Sequence, residues 1–118
     1  MDNIDAIAAL AALAQPTRLD VFRRLVACEP AGMPAGELAR FLAVPQNTLS
    51  AHLAVLSRAG LATSERSSRS IIYRANVARL REVTQFLLED CCGGRPDVCV
   101  SPVSDLSHCR SAKASADD

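Results

Sequence analysis

Between Pro34 and Gly60 the chain has room for two short helices and little else. Pro34 can open the first, because a helix tolerates proline in its first turn, and that helix ends near Leu42. Ala43-Val44-Pro45 forms a tight turn. A second helix follows from about Pro45 to Ala59, and Gly60 stands in the helix-stopping position. Helical geometry sorts its residues. Leu49, Leu53 and Leu56 share one face and must pack inward, while Asn47, Ser50, Ala51, Ala54 and Arg58 face the opposite way. Ala51 and Ala54 are small enough to let that face approach a groove closely.

Two helices precede this pair. Ile4 to Ala14, rich in Ala and Leu, reads as one. The other starts at Pro16 and runs to about Cys28, with Leu19, Phe22, Leu25 and Val26 on one face, before Glu29-Pro30-Ala31-Gly32 breaks it. Downstream, Leu61 to Arg66 and Ser70 to Ala75 read as strands joined by the polar turn Ser67-Ser68-Arg69, a hairpin. Asn76 is a good N-cap for a last helix from Val77 to about Cys92, which Gly93-Gly94 ends. The fold class expected is mainly α with a small β-hairpin. Two short helices on a tight turn, followed by a basic hairpin, make a winged helix-turn-helix.

That arrangement points to DNA. Gln46, Asn47 and Thr48 lie at the N-terminal end of the second helix, where a recognition helix meets base edges. Asn and Gln can pair bidentately with adenine. Ser50, Ala51 and Arg58 continue the same face. His52 lies on the flank of the buried stripe and reads either as a half-buried packing residue or as a phosphate contact. Arg66 and Arg69 belong to the hairpin, and Arg69, at its tip, can enter a minor groove or lie along phosphates. Tyr73 reads as core.

The formal net charge is zero, which alone argues against a nucleic-acid partner. Its distribution argues otherwise. From Arg40 to Arg81 there are seven arginines and one acid, Glu65. A basic middle on a neutral chain suits a phosphate-facing surface, although a solvated arginine-rich face has the same composition. With 118 residues the chain holds one domain, small enough that a homodimer burying more surface is favoured. The expected division is a DNA-binding and dimerisation domain over 1–94 and a tail over 95–118. The tail is rich in Ser, Ala and Asp, without periodicity, and is expected to be mostly disordered beyond about Ser101. No basic segment precedes an apolar run at the N-terminus, and no stretch approaches membrane-spanning length. The expectation is therefore a cytoplasmic protein with no membrane partner.

Leu13-Ala14-Gln15-Pro16-Thr17-Arg18-Leu19 resembles a helix start found in the ArsR/SmtB family of metal-responsive bacterial repressors. The run from Pro45 through Gln46, Asn47, Thr48, Ser50 and His52 to Gly60-Leu61 resembles that family's recognition helix, and Arg66 to Arg74 resembles its wing. The resemblance covers roughly Leu10 to Cys92. It departs at Ser68, where relatives often carry Gly, and this bears on the turn type. It implies a homodimer joined through its first and last helices, bound to double-stranded operator DNA and released by an inducer.

The inducer is read from the cysteines, of which there are five. In a cytosolic chain these are thiols or metal ligands rather than structural disulfides. The third helix, Glu37-Leu38-Ala39-Arg40-Phe41-Leu42, has none, and the last helix has no His, so two familiar sensor patterns do not fit. Cys91-Cys92, six residues, then Cys99 remain. Cys91 is in helical phase with Leu80 and Leu87, and Gly93-Gly94 lets the chain reverse toward the pair. Three thiolates without a His nearby make a soft, trigonal site. Trivalent arsenic suits it, as arsenite or methylarsenite, and antimonite is a second fit. The arrangement looks like the C-terminal arsenite site of some ArsR-family repressors. The alternative is a thiol redox or persulfide sensor pairing Cys28 with Cys91 or Cys92, which requires Cα atoms within about 7 Å. Cys109 falls in the tail. An enzyme is not expected: a thiol nucleophile needs a base, and neither His52 nor His108 is obviously placed to act as one.

Overall fold

The computed structural model describes residues 1–90. Five helices and three short strands follow in the order α1 (Asn3–Leu13), α2 (Pro16–Ala27), β1 (Met33–Pro34), α3 (Ala35–Leu42), α4 (Gln46–Arg58), β2 (Ala62–Ser67), β3 (Ser70–Ala75) and α5 (Val77–Glu89). The chain divides after Val83. The fold is a winged helix-turn-helix.

Local chemistry sets each boundary. Asp2 caps α1 through its carboxylate, which accepts from the Asp5 N–H at 2.8 Å. Gln15 does the same for α2 at Arg18 N–H, with Pro16 at the first helical position. The turn between α3 and α4 rests on Ala43 in the left-handed region, φ 56°. The end of α4 is a Schellman motif: Gly60 N–H donates to the Ser57 carbonyl at 3.0 Å, and Leu61 N–H to that of Leu56 at 2.9 Å. Gly60 takes φ 80°, the conformation that favours glycine.

The core is aliphatic. Val21, Leu25, Leu38, Leu49, Leu53, Leu56 and Leu61 are fully buried, each contributing roughly 1.5–3 kcal/mol of burial. Leu49, Leu53 and Leu56 therefore form the inward stripe expected of α4. On α2 the stripe is centred on Val21, Phe22 and Leu25, while Leu19, expected inside, is exposed. Tyr73 is half-buried against the core.

Two further features go beyond the sequence reading. The hairpin gains a third strand, giving the order β1-β3-β2, all antiparallel. Met33 pairs with Tyr73 and Pro34 with Ile72. Pro34 is tolerated because β1 lies at the sheet edge. In α1 three of the five alanines, Ala6, Ala9 and Ala12, are buried, while Ile4 is 78% exposed and Ile7 64%. Small side chains let α1 lie close to the core and leave its large apolar ones outside.

In the second part, the end of α5 is marked by a Gln85 Nε2 to Glu89 Oε2 hydrogen bond of 2.8 Å and an Asp90 N–H to Phe86 carbonyl bond of 2.9 Å. Among the described residues, no helix is long and apolar enough to cross a membrane.

Candidate nucleic-acid interface

The buried leucines of α4 leave its other face outward. Gln46, Asn47, Thr48, Ser50, Ala51, Ala54 and Arg58 are all exposed. Pro45, in the N-cap position, makes no side-chain cap bond. Asn47 compensates from inside the first turn: its Oδ1 accepts from the Thr48 N–H at 2.9 Å. Bidentate adenine pairing uses both amide atoms of Asn, so Asn47 must release or share this bond to read a base. Gln46 is one residue nearer the helix start.

His52 is half-buried on the flank of α4. Its Nδ1 lies 3.4 Å from Nη1 of Arg18, on α2. Arg18 was not among the residues singled out from sequence. It lies 34 positions away, and nothing in its periodicity marks a partner on α4.

The wing is set by β2 and β3, in register from Ala62↔Ala75 to Ser67↔Ser70. The loop is therefore two residues, Ser68-Arg69, rather than three. Ser68 takes φ 57°. This is the position at which the sequence departs from the pattern it resembles, and a non-glycine residue there is strained. Arg66 and Arg69 are exposed. Arg74 pairs with Glu29 at 3.7 Å and is tied to the loop after α2. Arg79 pairs with Glu82 at 3.4 Å. Of the seven arginines in the basic middle, Arg40, Arg58, Arg66, Arg69 and Arg81 are exposed and form no ion pair among the described residues.

Asn76, expected as the N-cap of α5, directly precedes that helix and makes a longer link as well. Its Nδ2 donates to the Gly60 carbonyl at 2.8 Å, and its N–H to that of Leu61 at 2.8 Å. The start of α5 is thereby fixed to the end of α4.

Cys28, in the C-cap position of α2, is a free, half-buried thiol. Cys91, Cys92, Cys99, Cys109 and His108 lie outside the described residues, as does the tail over 95–118. Among the described residues no group of three or more His, Cys, Asp or Glu side chains is placed to hold a metal ion.

A helix-turn-helix domain family matches residues 13–65, the span from the end of α1 into β2. Fold and match together define a winged helix-turn-helix protein. The solved structures it resembles include ArsR-type transcriptional regulators. An ArsR-like transcriptional regulator from Rhodococcus sp. RHA1 is 27% identical with a TM-score of 0.68, over 87% of this chain and 92% of that one. A protein described as a possible transcriptional regulator for arsenical resistance is 28% identical with a TM-score of 0.59, over 67% and 79%. The transcriptional repressor BigR from Xylella fastidiosa is 29% identical with a TM-score of 0.55, over 69% and 81%. The search of curated proteins returned no match.

Proposed function

We propose that this chain is an ArsR-type transcriptional repressor that binds operator DNA as a homodimer and leaves it when trivalent arsenic binds the thiolates of Cys91, Cys92 and Cys99. The observation that carries the DNA-binding part is α4. Three buried leucines fix the helix, and its opposite face offers small and polar residues beside a wing bearing Arg66 and Arg69. Gln46, Asn47, Thr48, Ser50 and Ala51 would meet base edges, while Arg58, Arg66 and Arg69 would meet phosphates.

The homodimer is supported by α1, whose Ile4, Ile7 and Leu10 are exposed in one row three residues apart. A second copy would cover that row. The inducer reading is supported by the donor set, three thiolates within nine residues. Bound there, trivalent arsenic would cross-link the end of the last helix to the segment beyond it; antimonite fits the same donors. Likeness to a possible regulator for arsenical resistance points the same way. Such a repressor works inside the cell, where thiols stay reduced, and performs no catalysis.

A second reading, a redox or persulfide sensor, is favoured by one observation: Cys28 is a free thiol at the end of α2. The two readings part experimentally. A labelled duplex selected by the protein from a random-sequence library is followed by fluorescence anisotropy under reducing conditions while arsenite is added and free thiols are counted. Release with loss of three thiols per chain, unchanged in Cys28→Ser, supports the arsenic sensor. A Cys28→Ser protein that binds DNA but ignores arsenite rules it out.

A further inference from the structure

Three glycines lie among the described residues, and the fold explains two of them. Gly32 and Gly60 hold left-handed backbone, φ 77° and 80°, and a Cβ on either would stand within 2.6 Å of a neighbour. Gly36, the second residue of α3, has neither reason. Its φ is not left-handed. A Cβ there would meet two side-chain atoms within 4 Å, Nη1 of Arg40 at 3.8 Å and Nε2 of Gln46 at 4.0 Å, both ordinary van der Waals contacts. Alanine therefore fits, and inside a helix alanine is the more stable residue. The fold alone would favour a side chain at this position.

The missing side chain leaves a notch between two donors. Arg40 is one helical turn on from Gly36, on the same face of α3. Gln46 opens α4 on the other side of the turn. Both side chains are exposed, and neither forms a hydrogen bond or ion pair among the described residues. Glu37, three residues before Arg40, is spaced to pair with it. The pair is not made, and the guanidinium stands over Gly36 instead. Glu37 itself projects about 100° round the helix from Gly36. A guanidinium is always charged and only donates, and an amide presents its NH2 by rotation, so the two can bind one anion between them.

We propose that Gly36, Arg40 and the amide of Gln46 form a seat for one backbone phosphate of DNA, with Gly36 bare so that the phosphate can come down between the two donors. The proposal rests on α4 being the helix that meets DNA. In that geometry base edges meet the N-terminal end of α4 while the helix before it crosses the backbone, and the notch lies where these two helices join. Such a contact carries no sequence information; it fixes the register and orientation in which α4 is presented. The amide of Gln46 also has an oxygen, so it can hold the phosphate and still accept from a base edge.

The test uses the full-length protein with the library-selected duplex and a random duplex, read by anisotropy over a range of salt concentrations. Gly36→Ala should keep or raise the urea midpoint and yet bind both duplexes about fivefold or more weakly, by displacing a charge-assisted hydrogen bond. Arg40→Ala should bind both about tenfold more weakly, with a salt slope smaller by about one. Arg40→Lys should keep the slope. A single neutral methylphosphonate, moved along the backbone of the selected duplex, should find a position that weakens the wild type and leaves Arg40→Ala unaffected. Unchanged affinity in Gly36→Ala would overturn the proposal while leaving α4 as the DNA-reading helix. A lowered urea midpoint in that variant would overturn it by placing the loss in the fold. Losses confined to the selected duplex would overturn it in favour of a base contact, as would a methylphosphonate scan that nowhere separates Arg40→Ala from the wild type. A wild type that binds neither duplex would overturn the repressor reading and the proposal with it.

Discussion

Gly60 and Arg79 are packed face to face: a Cβ added to Gly60 would stand 2.5 Å from the Arg79 Nε. Gly60 also holds φ 80° and gives its carbonyl to Asn76. Left-handed backbone, close approach and hydrogen bond therefore meet at one residue between α4 and the wing. Gly60→Ala should lower stability by about 2 kcal/mol, from the left-handed conformation and the displaced guanidinium together. Asn76→Ala should cost about 1 kcal/mol, the worth of one lost hydrogen bond. Because the two residues are bonded to each other, the double variant should lose less than the sum. Urea midpoints at fixed protein concentration, with unchanged m, measure all three. A neutral Gly60→Ala would show that this junction yields freely.

Ser68 offers the opposite sign. Its φ of 57° is uncomfortable for a residue with a Cβ, and it lies in an exposed two-residue turn. Ser68→Gly should relieve that strain and stabilise the protein by roughly 0.5–1 kcal/mol, the gain being trimmed by the greater freedom of glycine in the unfolded chain. A lower thermal midpoint in this variant would mean that the Ser68 side chain contributes something the turn geometry does not show.

Asn47 and Arg69 should separate base reading from phosphate contact. Arg69→Ala should weaken binding to all sequences and flatten the salt dependence by about one charge. Asn47→Ala should cost about 1–3 kcal/mol on the selected site and little on random DNA. Competition titrations at several salt concentrations give both quantities. Equal loss on both DNAs for Asn47→Ala would remove it from base reading and leave it the helix-start role seen in its bond to Thr48.

The exposed row on α1 should carry the dimer. Ile7, 64% exposed, can accept Glu without disturbing the buried alanines behind it. Ile7→Glu should leave the helical circular dichroism intact and shift the molecular mass from that of two chains to that of one, by light scattering after gel filtration. A dimer that survives the change would place the interface elsewhere.

Much of this fold was legible because its punctuation is strong. The spacing of Leu49, Leu53 and Leu56, with Gly60 after them, specifies a helix, its inner face and its end. The hairpin was legible from the polar residues between two β-rich runs. Other features depend on contacts distant in sequence. Met33 and Pro34 become a strand because Tyr73 and Ile72 pair with them, and a two-residue strand has no period to read. In α1 nearly every residue is apolar, so periodicity does not say which face turns inward; the closeness that alanine allows decides it. Leu19 shares the phase of Phe22 on α2, yet the core is centred on Val21 and Leu25. At the candidate site, exposure of α4 followed from the buried leucines, whereas the Arg18–His52 and Asn76–Gly60 links join residues with no shared local pattern.

Cys99 should distinguish arsenite from its methylated form. Arsenite in a three-thiolate site satisfies its valence with three sulfurs; a methylated trivalent arsenical already spends one valence on carbon and takes two. Cys91 and Cys92 are adjacent and followed by two glycines, so the pair can adjust to chelate one arsenic. In the proposed site Cys99 would join them across the six intervening residues, a modest entropic cost for so short a segment. Cys99→Ser should therefore keep DNA binding, lose most of its release by arsenite and keep much of its release by methylarsenite. Cys91→Ser and Cys92→Ser should each lose both responses. Anisotropy of the labelled duplex under reducing conditions, titrated with each arsenical, reads the difference. Wild-type sensitivity to arsenite in Cys99→Ser would assign the third sulfur to Cys28, to Cys109 or to a second copy of the chain, or show that two thiolates suffice.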